Sequence, residues 1–337
     1  MKRIYYDINL AERNSFGVEQ LANTLVEFDN VADLREFFEE QRPKEWYVLG
    51  AGNNTLFTRD YKGVILTPVA DGMTILSEDE ESLELRVEAA HEWDALVEWS
   101  VERGLWGMEN LSAIPSSVGA APVQNIGAYG AEAKDVITVV EYFDTETLEL
   151  CRLCNAECGF AYRESIFKHE LRGRAIILAV EFKLHKMPRP NLGYGDVVGE
   201  VEKRGGATLR NIRDAICAIR QSKLPDPKVL GNAGSFFKNP VVERDVAERL
   251  IKLYPDMPHY AVPGDDSVVK LAAGWLIDRA GMKGRRSGAV GVHERQALVL
   301  VNHGGATGAD VIAFAGEVCR AVADKFGVEI VPEVNIL

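Results

Sequence analysis

The sequence reads as an α+β protein, and three observations carry that reading. LELRVEAA alternates apolar and polar residues as a half-buried strand does. Val311, Phe314, Val318, Val322 and Phe326 recur at three- and four-residue steps, the mark of an amphipathic helix. Strand-like and helix-like runs also come in separate blocks, not in the regular βαβ order of a doubly wound sheet. At 337 residues and 47% hydrophobic, the chain is large enough for two or three packed domains.

Taken in order, VADLREFFEEQR is a short amphipathic helix, and WYVLGAGNNTLF is a strand running into a glycine turn. GVILTPV and LELRVEAA are strands, and HEWDALVEWSVERG is a helix closed by Gly104. After a long loop come the strands VITVVEYFD and AIILAVEFKLH, then the helix NIRDAICAIRQSK. The prolines of LPDPKV break that helix and place a domain boundary near Lys223. Beyond it, VVERDVAERLIKLY, SVVKLAAGWLIDRAG and ADVIAFAGEVCRAVADKFG have helical patterns, while ALVLVN and VEIVPEVNIL supply late strands.

Charge narrows the partners. With 51 acidic against 38 basic residues, a net charge of -13 repels nucleic acid and anionic membrane. No 18-residue apolar span occurs, and MKRIYYDINLAERN lacks the apolar core of a signal peptide, so a soluble cytoplasmic protein is expected. Three of the five cysteines cluster as Cys151, Cys154 and Cys158. The spacing invites a metal reading, but a fourth ligand is wanting: His169 lies eleven residues on, among basic neighbours. Packing residues and no metal are expected; Cys217 and Cys319 fall on helical patterns.

Two stretches suit a phosphate-bearing ligand. NLSAIPSSVGAAPVQNIGAYGA, from Asn110 to Ala131, has no charged residue and is rich in Gly, Ala and Ser. Freed backbone N–H groups in such a loop hold a diphosphate through oriented dipoles. Gly50-Ala51-Gly52-Asn53-Asn54 follows a strand and offers the same chemistry. It lacks the third glycine of a Rossmann fingerprint, and a plain strand-to-strand turn fits it equally. Together the two loops favour a bound dinucleotide whose identity spacing does not give.

A third stretch, GNAGSFFKNP at 231–240, sets Ser235 behind small residues and before two phenylalanines. Glycine permits close backbone approach, and paired aromatics make a dry wall against which a hydroxyl can serve as a proton donor. The same letters also fit a turn leading into the helical pattern that follows Pro240.

YVLGAGNNTLF, IPSSVGAAPVQNIGAYG, FAYRESIFKH, LPDPKV, GNAGSFFKNP, VKLAAGWLID, HERQALVLVN and IVPEV occur in this order over nearly the whole chain. In this it resembles the UDP-N-acetylenolpyruvoylglucosamine reductases, the MurB flavoenzymes of peptidoglycan precursor synthesis. YGD at Tyr194 to Asp196 resembles their longer, type I branch. The resemblance implies a two-lobed FAD-binding domain of the vanillyl-alcohol-oxidase (PCMH) type plus a C-terminal α+β substrate-binding domain. The divisions implied are 1–68 and 69–223 for the two FAD lobes, 224–327 for the substrate domain, and 328–337 for a strand carrying Glu333.

The resemblance also implies non-covalent FAD, NADPH as co-substrate, and reduction of UDP-N-acetylglucosamine enolpyruvate to UDP-N-acetylmuramate by a monomer. Gly50, Ala51, Gly52, Asn53 and Asn54 would hold FAD, with Ser116, Ser117, Gln124, Asn125, Gly127 and Tyr129 completing the cradle. The family's GGGSN and IPGxVG read GAGNN and IPSSVG here, and the replacements stay small. Ser235 would protonate the carbanion, Arg163 would clamp the substrate carboxylate, and Glu333 would face that carboxylate as a protonated donor. Tyr194, Lys223, Asn239, Tyr260 and Gln296 would contact the UDP-sugar. Arg220 would contact substrate or cap its helix. Two other readings stand beside this one: a flavin oxidase of the same fold using oxygen, and a flavin- or nucleotide-sugar-binding module without catalysis.

Overall fold

The computed structural model describes residues 2–262 and 264–337. By its internal contacts the chain divides into two compact units. The first comprises 1–8, 22–51 and 62–222; the second comprises 9–21, 52–61 and 223–337. The architecture is α+β, as the blocks of strand and helix predict.

In the first unit, a sheet orders the strands Arg3–Asn9, Leu21–Phe28, Tyr61–Pro68 and Trp46–Val48. Val31–Gln41 forms the expected helix; Asn30 caps it by accepting from the Asp33 N–H at 2.9 Å. Leu34, Phe37 and Phe38 of that helix pack with Val26, Phe28 and Leu66. A five-stranded antiparallel sheet follows, in the order Glu149–Cys154, Ile137–Asp144, Ala175–His185, Ser82–Glu88, Met73–Glu78. Leu83, Leu85, Val87, Val180 and Phe182 of its strands bury the helix Trp93–Glu102 through Trp93, Leu96 and Val97. Gly104 ends that helix region with φ +73, the left-handed geometry that favours glycine. The helix Leu209–Lys223 buries Leu209, Ile212, Ala215, Ile216 and Ile219 on one face, at helical spacing.

In the second unit, one antiparallel sheet orders Val241–Glu243, Asp265–Leu271 and His259–Val262, and another orders Arg286–Ser287, Val290–Val292 and Leu300–Asn302. The helix Gly308–Phe326 starts from a capping box in which Thr307 and Asp310 satisfy each other's N–H groups. It stops at Gly327, φ +68. The last strand, Asn335–Ile336, runs parallel to Thr55–Leu56.

Three sequence expectations need correction. VVERDVAERLIKLY is helical only over Arg244–Leu253; Val241–Glu243 is a strand. SVVKLAAGWLIDRAG splits likewise: Asp265–Leu271 is a strand and only Ala273–Arg279 is helix. In both, adjacent β-branched valines pair across a sheet, Val242 opposite Val269, and tertiary pairing overrides the helical spacing. VEIVPEVNIL yields one short strand, because Pro332 has no N–H to continue a ladder. Around it, Lys238 N–H donates to the Val331 carbonyl at 3.0 Å and Glu333 N–H to the Phe236 carbonyl at 2.7 Å.

The cysteine cluster lies on and just after the strand Glu149–Cys154, whose alternation sends Cys151 and Cys154 to opposite faces. Cys158 is buried in the core, where desolvation pushes its thiol up to about 12. Among the described residues, no group of three or more His, Cys, Asp and Glu side chains is disposed to hold a metal ion.

Candidate active site

The two small-residue loops meet in the first unit. A Cβ placed on Gly50 would stand 2.8 Å from Ser117 Oγ, so a larger residue there would displace the serine hydroxyl. The Ser116 carbonyl accepts from the Trp93 N–H at 3.0 Å, and the Gly119 N–H donates to the Ala89 carbonyl at 2.9 Å. These bonds fasten the middle of the uncharged loop to the helix Trp93–Glu102 and the strand end before it. In the second unit Gly52 is more constrained: its φ is +67, and a Cβ there would fall 2.1 Å from the Arg13 carbonyl oxygen. The Asn54 carbonyl accepts from Asn335 N–H at 3.0 Å. The run after Trp46–Val48 is thus a turn before another strand, as its simplest reading has it, but one packed too tightly at Gly52 for a side chain.

Among the described residues, four of the seven non-glycine residues with positive φ lie in the uncharged loop or beside it: Ala113, Asn125, Tyr129 and Arg163. Such backbone persists only where its surroundings hold it, and it concentrates at functional sites. Asn125 shows how. Fully buried, its amide donates to Glu132 Oε2 at 2.9 Å and the Ala161 carbonyl at 3.1 Å, and its Oδ1 accepts from the Lys134 N–H at 3.0 Å. Its side chain therefore shapes the loop from within.

Arg163 sits at φ +59 in a tight turn in which Ala161 and Glu164 exchange backbone hydrogen bonds. Its Nη2 donates to the Gly127 carbonyl at 2.9 Å, and its guanidinium lies 5.4 Å from the Tyr162 ring centroid. Neighbouring Glu164 pairs with Lys168 and His169 at 3.5 and 2.9 Å. Tyr129 and Tyr194 meet edge to face with centroids 6.0 Å apart, and the Arg220 charge lies near the Tyr129 hydroxyl. Burial raises the Tyr129 pKa and lowers that of Arg220. Arg220 does not cap its own helix; its Nε donates to the Ala113 carbonyl at 3.0 Å.

In the second unit, 231–240 is held as an extended segment. Ser235 bridges antiparallel to Val299, and Phe236 N–H donates to the Leu298 carbonyl at 2.7 Å. Phe237 bridges Pro332, and the Glu333 N–H closes on the Phe236 carbonyl, bringing the serine and glutamate segments side by side. Phe236 and Phe237 are buried with centroids 5.1 Å apart, while Ser235 is exposed. Gly234, φ +68, donates to Asn232 Oδ1 at 2.9 Å and makes the bend before the serine.

The alternative reading of 231–240 as a cap on the next helix is replaced by a different one. Asn239 Oδ1 accepts from the Ala273 N–H at 2.9 Å, capping the helix Ala273–Arg279 thirty-four residues away. Gln296 Oε1 closes on the same turn, 3.4 Å from where a Cβ on Gly274 would stand. Tyr260 is on an exposed strand, with Lys270 Nζ 5.7 Å from its ring centroid. Lys223 ends its helix on the surface.

Sequence reasoning missed Asp94, Asn110 and the Arg13–Ser15 backbone. Asn110 is buried, and its amide donates to the Tyr129 and Asn191 carbonyls, both at 2.8 Å. Ser15 N–H donates to the Gly52 carbonyl at 3.1 Å and the Ser15 carbonyl accepts from Asn232 N–H at 2.9 Å. Apart from the polarity of Asn110 in a charge-free run, no local pattern marks these residues.

Loops of this kind on this α+β frame define a class, the FAD-binding proteins. Residues 22–149, which include the glycine turn and the uncharged loop, match a family model described as an FAD binding domain. Residues 226–337 match the UDP-N-acetylenolpyruvoylglucosamine reductase C-terminal domain. The chain is 48% identical over 332 residues to a UDP-N-acetylenolpyruvoylglucosamine reductase of Pseudomonas aeruginosa, covering 97% of each. It is 46% identical over 338 residues to the one from Chromobacterium violaceum, covering 98% of each. The crystal structure of the enzyme from Thermus caldophilus matches with a TM-score of 0.69 at 23% identity, over 100% of this chain and 99% of that one, which speaks to fold. The chain belongs to the UDP-N-acetylenolpyruvoylglucosamine reductase family. Its fold is accordingly an FAD-binding domain of the vanillyl-alcohol-oxidase (PCMH) type followed by a C-terminal α+β domain.

Proposed function

We propose that this chain reduces UDP-N-acetylglucosamine enolpyruvate to UDP-N-acetylmuramate for peptidoglycan precursor synthesis, drawing electrons from NADPH. Membership of the reductase family supports the reaction, and the fixed segment 231–240, with Ser235 exposed beside the backbone-bonded segment of Glu333, supports its assignment as proton donor. When bound, FAD would supply the hydride-transfer chemistry that links NADPH to the enolpyruvyl group. Gly50 to Asn54, Ser116, Ser117, Gln124, Asn125, Gly127 and Tyr129 would hold it, with the close packing at Gly52 keeping that part of the turn free of a side chain.

The protein's own tasks are orientation, charge and one proton. Ser235 Oγ–H donates its proton to the carbon α to the carboxylate, where negative charge gathers, and regains one from solvent. Arg163 clamps the substrate carboxylate, a guanidinium being shaped for a planar anion. Glu333 faces the same carboxylate as a protonated donor. Tyr194 and Lys223 reach the UDP-sugar, as do Tyr260, Asn239 and Gln296, the last two already fixed at one helix start.

The functional divisions are two FAD lobes at 1–68 and 69–223, a substrate domain at 224–327, and a terminal segment at 328–337 that carries Glu333 and is strand only at Asn335–Ile336. Among the described residues no helix is long and apolar enough to cross a membrane. We read the protein as a cytoplasmic monomer whose net charge of -13 keeps it from nucleic acid and membrane surfaces. Purified protein is expected to be yellow and to oxidise NADPH beyond one equivalent per flavin at a catalytic rate only when UDP-N-acetylglucosamine enolpyruvate is added. Substrate-independent oxygen consumption at the same rate would favour the oxidase reading instead.

A further inference from the structure

The entrance to the uncharged loop is gripped from both sides of one residue. Ala113 has φ +57, a left-handed backbone that alanine rarely adopts. Its N–H donates to Asp94 Oδ1 at 2.5 Å, and its carbonyl accepts from Arg220 Nε at 3.0 Å. Asp94 stands in the first turn of the helix Trp93–Glu102 and holds buried Arg213 through both carboxylate oxygens, at 2.6 and 3.0 Å. Arg213 and Arg220, seven residues apart, share a face of the helix Leu209–Lys223. Arg220 also lies close enough to Tyr129, at the far end of the same loop, to interact with it electrostatically. Helix and carboxylate thus fasten the entrance of the segment that carries Ser116, Ser117 and Gln124.

We infer that Asp94 and Arg220 are positioning residues for FAD binding: they hold Ala113 in its left-handed state and so keep the loop in its ligand-ready shape. This rests on the reading of 113–129 as the FAD loop. The two grips act on one equilibrium. If losing either lowers the population of the left-handed state tenfold, apparent affinity falls by the same factor, since only the competent fraction binds. Asp94 reaches no ligand in this scheme; it acts through the backbone of Ala113, and Arg213 acts by orienting Asp94.

Glycine at 113 separates this role from a general structural one, because glycine populates positive φ without a side-chain penalty. FAD affinity is measured by titrating flavin-stripped protein with FAD and following flavin fluorescence, with far-UV circular dichroism to confirm folding. Asp94→Asn is expected to weaken FAD binding ~10-fold or more, Ala113→Gly to leave it within ~2-fold, and the double variant to recover to within ~3-fold of Ala113→Gly. If Asp94 matters only as a partner for buried Arg213, the double variant stays as weak as Asp94→Asn, and the inference is overturned. Should Asp94→Asn not fold, the same cycle is run with Arg220→Lys, whose single ammonium lacks the Nε–H that serves the Ala113 carbonyl. The same rescue by Ala113→Gly is expected there, and its absence overturns the inference. A wild-type protein that binds no FAD at all would instead sink the flavin reading on which the inference rests.

Discussion

The uncharged loop at 110–131 and the serine segment at 231–240 are both built from small residues, yet they are held by opposite means. The loop has little regular pairing and carries three left-handed non-glycine residues, of which Ala113 is held by the side chains of Asp94 and Arg220 and Asn125 by its own buried amide. The serine segment is held through its backbone, bonded to Leu298 on one side and to 331–333 on the other, and its only positive φ belongs to a glycine. A surface that must wrap a ligand needs irregular backbone, which side chains must then hold. A group that must deliver one proton needs only a rigid strand beneath it.

That contrast sets where damage should appear. The largest effect is expected at Ser235: Ser235→Ala should leave reduction of the flavin by NADPH intact and slow substrate reduction by ~100-fold or more, the scale of a general acid. Equal losses in both half-reactions would remove the distinction between the two regions. Next comes Gly52→Ala, where a Cβ would meet the Arg13 carbonyl oxygen at 2.1 Å. It should lower thermal stability by about 2 kcal/mol or more and release FAD, whereas Gly234→Ala, with nothing within 4 Å of its Cβ, should cost about 1 kcal/mol from its φ alone. Asn125→Ala removes three buried hydrogen bonds and is expected to destabilise by about 1–3 kcal/mol, with weaker FAD retention but an unchanged rate of proton transfer in flavin-saturated enzyme. Flavin-saturated Asn125→Ala that was slow in that step would show that the loop and the serine are not separable.

Much of the frame was legible. The helix at 308–326 announced itself by apolar spacing and a terminal glycine, and the strands at 82–88 and 175–185 by their patterns. Asp265–Leu271 was not, because Val268, Val269 and Leu271 fit helical spacing as well as alternation, and only pairing with 241–243 and 259–262 decides between them. At the site, composition exposed the two loops, and the resemblance supplied Ser235, Arg163 and Glu333. What holds the loops was invisible: Asp94 grips a residue nineteen positions away, and Arg220 one that is 107 positions away. Such contacts leave no period in the sequence.

The smallest expected effect tests burial near the loop. Glu109 is buried, and desolvation raises its pKa even though the Gly107 N–H donates to it at 2.7 Å. A carboxyl with a raised folded pKa favours the folded state most below its unfolded value of about 4.3, and that contribution is lost as pH rises through the folded pKa. Glu109→Gln, which keeps an acceptor for Gly107, should therefore melt higher than wild type at neutral pH, with the gain shrinking as pH falls toward 4. A gain that was constant across this range would mean that ionisation is not the cause.

Anaerobic rapid mixing of photoreduced protein with UDP-N-acetylglucosamine enolpyruvate addresses the core of the account. The yellow absorbance should return in the wild type without oxygen, and in deuterated solvent the product should carry deuterium on the carbon next to its carboxylate. In Ser235→Ala the same return should be slowed. Flavin that stays reduced until air is admitted, or a return unaffected by the loss of the serine hydroxyl, would contradict it.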